Sequence, residues 1–231
     1  MPFEDCFGSI GDKTFYHRKG VCYYRRRSSP DFPGTIAQME HLSVHLRALE
    51  AWRQLPFDVQ KRWNACAVGV VSHRPPFDGK SGISGHNLFV SAYHGFASLG
   101  DEHVPEPLAW EEFPPYALEN VGSAMVEDGM LLLDFDVWMD EYAEADRYQV
   151  LARLQLTKAG GGRDSGKMRS FLSLLPCSRG QSVIGFAIPD YLALWGLDLP
   201  EYTVHIRHVL LDRRSGYRSQ YRQQSFDFNL P

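Results

Sequence analysis

Seven short runs in the second half of the chain constrain its fold more than any other feature. They fall at residues 119–126, 130–138, 147–157, 168–175, 182–188, 202–212 and 217–228 and are separated by Gly, Asp and Ser. A strand of this length buries one face, and seven such strands at close spacing bury their faces by stacking two sheets. The pattern therefore predicts a β-sandwich over 117–231. In "LLLDFDVWM" the alternation places Leu131, Leu133, Phe135 and Trp138 inside the sandwich or at its lip. "YTVHIRHVL" points Val204, Ile206 and Val209 inward with the His and Arg side chains outward, and its slip at His208 reads as a bulge. "PDYLALWGL" is a helical turn between strands, and "DRRSG" a hairpin connection between the last two.

Ahead of these runs the pattern is different. Residues 13–18 and 21–27, rich in Thr, Phe, Tyr and Val, flank "KG" and predict a two-stranded β-hairpin with Lys19 and Gly20 at its turn. After "SSPDFPGT", Thr35 stands as an N-cap for a helix to about Leu55, with Ile36, Met39, Leu42, Leu46, Leu49 and Trp52 at helical spacing. A second helix spans 59–68, with Trp63 and Ala67 on one face. "HNLFVSAYHGFASL" makes a third, with Ser84 or Asn87 near its start. Trp52, Leu55 and Trp63 form the expected core. The acidic, proline-rich segment 101–116 reads as a linker. The expected architecture is α+β: a hairpin and three-helix module at 1–100, a linker at 101–116 and a sandwich domain at 117–231.

Charge is unevenly spread. Residues 1–100 carry 12 basic and 8 acidic side chains, a net of +4, whereas 101–231 carry 12 and 20, a net of −8. A polyanion would therefore meet the front of the chain. Cys6, Cys22, Cys66 and Cys177 form no C-x-x-C pair, which fits reduced thiols in a cytoplasmic setting. "MPFEDCFGSI" has acids where a signal peptide has bases, and "MLLLDFDVWM" is interrupted by Asp134 and Asp136. Neither secretion by that route nor a membrane span is expected.

Motifs for catalysis and cofactors fail on inspection. "RPPFDGKS" lacks the first glycine of a phosphate loop, and "GGRDSGKM" has Met168 where the magnesium-binding hydroxyl belongs, so a glycine-rich hairpin accounts for it better. His41 and His45 lie four apart on a helix, with Cys66 or His73 as further ligands, but two ligands alone make no metal site. The acids of "WMDEYAEAD" read as a solvated turn. Neither a G-x-S-x-G elbow nor a cysteine signature occurs. No catalytic residue, cofactor or metal is assigned, and an enzyme is not expected.

What remains is the stretch "GDKTFYHRKGVCYYRRRSSP". Lys13, Tyr16, Arg18, Lys19, Tyr23, Tyr24, Arg25, Arg26 and Arg27 mix bases with aromatic rings on both faces of the hairpin. Such a ribbon suits a protein partner or self-association, because Tyr and Arg give large contact area at low entropy cost and forked hydrogen bonding. It also suits nucleic acid, through phosphate neutralisation and base stacking.

The ordered pieces "GSIGDKTFYHRKGVCYYRRR", "PGTIAQ", "WRQLP", "KRWNACA" and "SGHNLFVSAY", covering residues 7–93, resemble a family of uncharacterised proteins of Bacteroidetes genomes, prophages and their viruses. The first helix departs from that pattern at "MEHLSVHLRAL". The resemblance implies an immunoglobulin-like or fibronectin-like second domain, and a structural or accessory role in a phage particle or mobile element. "AWRQLPFDVQKRWNACA" is also similar to the middle helices of an HMG box and "HNLFVSAY" to its first helix, in reversed order, which implies nucleic-acid binding.

Overall fold

The computed structural model describes residues 8–18, 21–26, 34–70, 82–140, 144, 146–177, 183–196 and 201–229. Cys6, Lys19, Arg27 and His73, together with all of "RPPFDGKS" and most of "DEYAEA", lie outside the described residues. The chain divides into two compact units, Met1–Leu42 and Ser43–Pro231.

In the first unit the hairpin is part of a three-stranded antiparallel sheet. Strands β1 (Gly8–Ile10), β2 (Lys13–Arg18) and β3 (Val21–Arg26) follow one another in a meander. The sequence reading missed β1, which has only three residues. Gly11, at φ +60°, turns β1 into β2 across a two-residue connection where a side chain would be strained. Helix α1 (Ile36–Gln54) starts in this unit at Thr35. There the Gln38 N–H donates to Thr35 Oγ1 at 3.4 Å and the Thr35 N–H donates to Gln38 Oε1 at 3.2 Å, a reciprocal cap.

The second unit has two hydrophobic clusters. One is helical, built on α1, α2 (Phe57–Cys66) and α3 (Gly85–Ser98), with Ser84 capping α3 by accepting from the Asn87 N–H at 3.2 Å. Trp63 is fully buried, and Trp52 and Leu55 pack against the cluster. Of the expected apolar stripe of α1, Trp52 supplies this contact, but Ile36, Met39, Leu42 and Leu46 are exposed, and Val44, Ala48, Ala51 and Leu55 face the core beside Trp52.

The other cluster lies between two antiparallel sheets. Strands β4 (Tyr116–Glu127), β5 (Met130–Met139), β6 (Tyr148–Lys158), β7 (Arg169–Leu172), β8 (Val183–Ile188), β9 (Glu201–Asp212) and β10 (Arg222–Asn229) form a three-stranded sheet, β4-β5-β8, and a four-stranded sheet, β10-β9-β6-β7. A short helix, α4 (Tyr191–Trp195), follows β8 where the sequence places a helical turn. Leu131, Leu133, Phe135, Ile184 and Phe186 of the smaller sheet meet Val150, Leu154, Val204 and Ile206 of the larger in one buried core. The chain is thus α+β with sandwiched sheets. Trp138 is outward and half exposed.

No bulge occurs at His208. The β6–β9 register runs unbroken from Tyr148↔Asp212 to Lys158↔Tyr202, so His208 points inward with Val204, Ile206 and Leu210. Its ring is satisfied there, accepting from the Tyr116 hydroxyl at Nδ1 (2.7 Å) and donating from Nε2 to Gln224 Oε1 (3.1 Å). Val209 accordingly falls on the opposite face from Val204 and Ile206, where the sequence reading had set it beside them.

The expected linker 101–116 belongs to both clusters. Trp110 and Phe113 pack on the helical one, Phe113 also on the sandwich, and Tyr116 is buried in β4. Tyr217, from the β9–β10 connection, stacks on Trp110 (5.2 Å, 29°), meets Trp63 edge-on (6.3 Å) and donates to the Leu108 carbonyl at 2.7 Å. Proline and acids suggested a free connection, but Trp110, Phe113 and Tyr116 anchor the segment. The compact division falls at Leu42 and not within 101–116.

Candidate functional site

Cross-strand pairing of β2 with β3 sets the composition of each face of the first sheet. The partners are Lys13↔Arg26, Thr14↔Arg25, Phe15↔Tyr24 and Tyr16↔Tyr23, and directly opposed residues share a face. On one face Tyr16 and Tyr23 stack at 5.8 Å and 20°, with Thr14 and Arg25 alongside. On the other Phe15 and Tyr24 meet at 6.1 Å, Lys13 Nζ sits 5.0 Å above the Tyr24 ring, and Arg26 lies 3.8 Å from Asp12. Tyr16, Tyr23 and Tyr24 are 41%, 44% and 64% exposed, and Arg25 and Arg26 are exposed beside them. Arg18 is placed by register opposite Val21. The structure thus assembles Lys13, Tyr16, Tyr23, Tyr24, Arg25 and Arg26 on one small sheet in which none of residues 10, 13–16 and 22–26 is buried.

A second surface, not singled out from the sequence, lies on the outer face of β4-β5-β8. Strand alternation puts Leu132, Asp134, Asp136 and Trp138 there, beside Met125, Ser123 and Asn120 of β4 and Val183 of β8. Asp134 accepts from the Ser123 hydroxyl at 2.7 Å. A Cβ at Gly185 would lie 2.8 Å from Asp134 Oδ1 and one at Gly122 2.6 Å from Asp136 Oδ1, so each carboxylate leans over a glycine of a neighbouring strand. Alternation within "LLLDFDVWM" was the signal that these residues share a side, which the search for a buried face passed over.

One polar network gathers residue types used in catalysis. His205 Nδ1 lies 2.7 Å from Ser225 Oγ, and Nε2 lies 3.0 Å from the Gly161 carbonyl and 3.1 Å from Thr157 Oγ1. Thr203 Oγ1 donates to Asp227, so this carboxylate engages a threonine and not the imidazole. The network holds the connection between β6 and β7 against the larger sheet: the Gly160 N–H donates to Thr203 Oγ1, and the Asp164 N–H to Gln155 Oε1. "GGRDSGKM" is therefore a loop between antiparallel strands, pinned by its own hydrogen bonds. With its ring nitrogens engaged by the loop and a serine, His205 lacks the orienting acid of a triad.

The other candidates resolve in the same way. His45 faces His94, the rings stacked at 5.7 Å with His94 Nε2 3.4 Å from His45 Nδ1. Among the described residues no group of three His, Cys, Asp or Glu could hold a metal ion. Cys22, Cys66 and Cys177 are free thiols, and burial pushes the Cys177 thiol up to about 12, which keeps it protonated. A cavity of about 100 Å³ beside Arg47, Tyr93 and Glu102 is well below the size of a ligand pocket and is crossed by the Arg47–Glu102 ion pair at 2.7 Å. Among the described residues no helix is long and apolar enough to cross a membrane.

No family model and no curated protein matches this chain. Among solved structures it is similar to AggA, the major subunit of aggregative adherence fimbriae type I of Escherichia coli, at 9% identity and a TM-score of 0.27, over 53% of this chain and 98% of that one. A second similarity is to a structure described as giving insight into host recognition and biofilm formation by aggregative adherence fimbriae of enteroaggregative E. coli, at 11% identity and a TM-score of 0.26, over 52% of this chain and 100% of that one. A third is to MtrC of Shewanella baltica OS185, at 10% identity and a TM-score of 0.28, over 52% of this chain and 22% of that one.

Proposed function

We propose that this chain is a non-enzymatic structural or assembly protein that docks to a protein partner through the β1-β2-β3 sheet, with the Ser43–Pro231 unit as its carrier. One observation carries the reading: the small sheet exposes aromatic and basic side chains on both faces, and none of residues 10, 13–16 and 22–26 is buried. A three-stranded sheet needs a covered apolar face to be stable, and a partner supplies that cover. Tyr and Arg in alternation give the contact area and hydrogen-bonding forks that protein interfaces use at their centres.

The strand orders β4-β5-β8 and β10-β9-β6-β7 support an immunoglobulin- or fibronectin-type sandwich for the carrier. Sandwiches of this type serve as spacers and binding modules, an inference by fold analogy. The resemblance of residues 7–93 supports a place in a phage particle or mobile-element assembly.

The test is a benzophenone amino acid placed at Tyr23 in the full chain and irradiated in cells. Protein adducts are expected, and Arg25→Ala/Arg26→Ala should remove them. Adducts no more abundant than from a control position at Asp128 would sink the proposal.

The mixture of bases and rings also favours a second reading, a nucleic-acid-binding accessory protein gripping phosphates through Lys13, Arg25 and Arg26. Retention on DNA and RNA at two salt concentrations separates the two. A steep salt dependence that Ala substitutions at 25–27 flatten supports nucleic acid, and no retention at low salt removes it.

A further inference from the structure

We infer that the partner of the β1-β2-β3 sheet is a second copy of this chain, and that the receiving surface is the outer face of β4-β5-β8. The inference rests on reading the first sheet as a docking element and names what it docks to. Charge is the first argument. Strands β1, β2 and β3 contain Lys13, Arg18, Arg25 and Arg26, and with Asp12 of the β1–β2 turn paired to Arg26 on the face away from the Tyr16–Tyr23 stack the sheet carries a formal +3, whereas β4, β5 and β8 contain Glu119, Glu127, Asp134 and Asp136 and no Lys or Arg, a formal −4. Each sheet therefore repels copies of itself and attracts the other, which selects this pairing over sheet-to-self stacking.

Shape and polarity agree. Around the two aspartates the receiving face exposes Met125, Trp138 and Val183, and the glycines at 122 and 185 keep its centre low. The Tyr16–Tyr23 stack offers two flat rings with Arg25 beside them, so rings can lie over apolar side chains while the guanidinium reaches a carboxylate.

Size favours reciprocal exchange. From strand rise and spacing, the three short strands cover about 300 Å² on each side of the contact. One contact then buries about 600 Å² in total, in the range of lattice packing, and two reciprocal contacts about 1,200 Å², the lower bound of a stable interface. A dimer that exchanges both sheets is the form this arithmetic selects.

The experiment is sedimentation velocity on the full chain across a concentration series, at low and high salt. A salt-sensitive dimer is expected. Arg25→Glu and Asp134→Lys should each weaken it about tenfold or more, and the chain carrying both changes should recover the dimer because the complementary pair is restored with its signs exchanged. Circular dichroism of each variant checks that the fold survives, and the recovery itself excludes misfolding as the cause of the losses. If reversal at Arg25 abolishes the dimer but reversal at Asp134 does not, the receiving face is wrong while the docking role of the first sheet stands. A chain that stays monomeric at about 100 µM in low salt overturns the second copy as partner. Absence of Tyr23 photoadducts as well would remove the docking reading with it.

Discussion

His208 and Arg147 show how single polar side chains are accommodated in a buried setting, and each makes a prediction. Burial pushes the His208 imidazole down to about 4 against the opposing pull of its Gln224 hydrogen bond, with the Arg222 charge adding to the depression. The unfolded chain takes up this proton near pH 6.5, the folded chain only near 4. Stability held above pH 6.5 is therefore lost as pH falls toward 4, by about 3 kcal/mol in all. Urea unfolding at pH 7, 5.5 and 4 should show this decline, and His208→Gln should flatten it; an unchanged slope in the variant would assign the decline to other groups. Arg147 lies 2.8 Å from Asp212, 2.7 Å from Glu111 and 3.2 Å from Glu144, and its partner Asp212 is buried. Arg147→Met would strand the Asp212 carboxylate with neutral donors only, the Ser215 hydroxyl and the Arg214 N–H. A loss of about 3–5 kcal/mol is expected in denaturant unfolding, the range for breaking one side of a buried ion pair.

At the scale of elements, the packing of α3 on the β9–β10 connection makes helices and sandwich one unit. Gly95 and Gly216 meet backbone to backbone: a Cβ at Gly95 would lie 2.0 Å from the Gly216 carbonyl oxygen, and Gly216 itself sits at φ +71°. Helix propensity alone says that Gly95→Ala stabilises α3 by up to about 1 kcal/mol. The contact says the opposite, a loss of about 2–3 kcal/mol from overpacking against rigid backbone. Thermal unfolding of the variant decides by the sign of the shift in Tm, and an increase would refute the close approach.

For the whole molecule, the exposed or half-exposed setting of residues 10–16, 22–26 and 38–42 sets an expectation about the carrier unit. A chain beginning at Thr35 should unfold within about 2 °C of the full chain, since its clusters are built from residue 44 onward. Under the proposal above it should also lose concentration-dependent association. A large drop in Tm would mean that the first unit contributes to the stability of the second.

Local pattern along the chain was enough to place the helices and every strand but the three-residue β1. Alternation and turn residues were enough for seven strands, because pleat and twist act locally, and Thr35 and Ser84 marked two helix starts through their own hydroxyls. The basic aromatic character of the β2–β3 hairpin was legible for the same reason. Tertiary structure decided what no local pattern encodes. It chose which residues of α1 are buried, since Val44, Ala48 and Ala51 face the helical cluster beside Trp52 while Ile36, Met39, Leu42 and Leu46 stay exposed, and that depends on which side of the helix its partners occupy. It turned His208 inward, since an imidazole can be buried once Tyr116 and Gln224, 92 and 16 residues away, meet both its nitrogens. It tied the acidic segment 101–116 to Tyr217, a contact 109 residues apart at Leu108. And it brought Asp134, Asp136, Trp138 and Met125 onto one open face, because strand pairing, and not order along the chain, makes residues of β4, β5 and β8 neighbours.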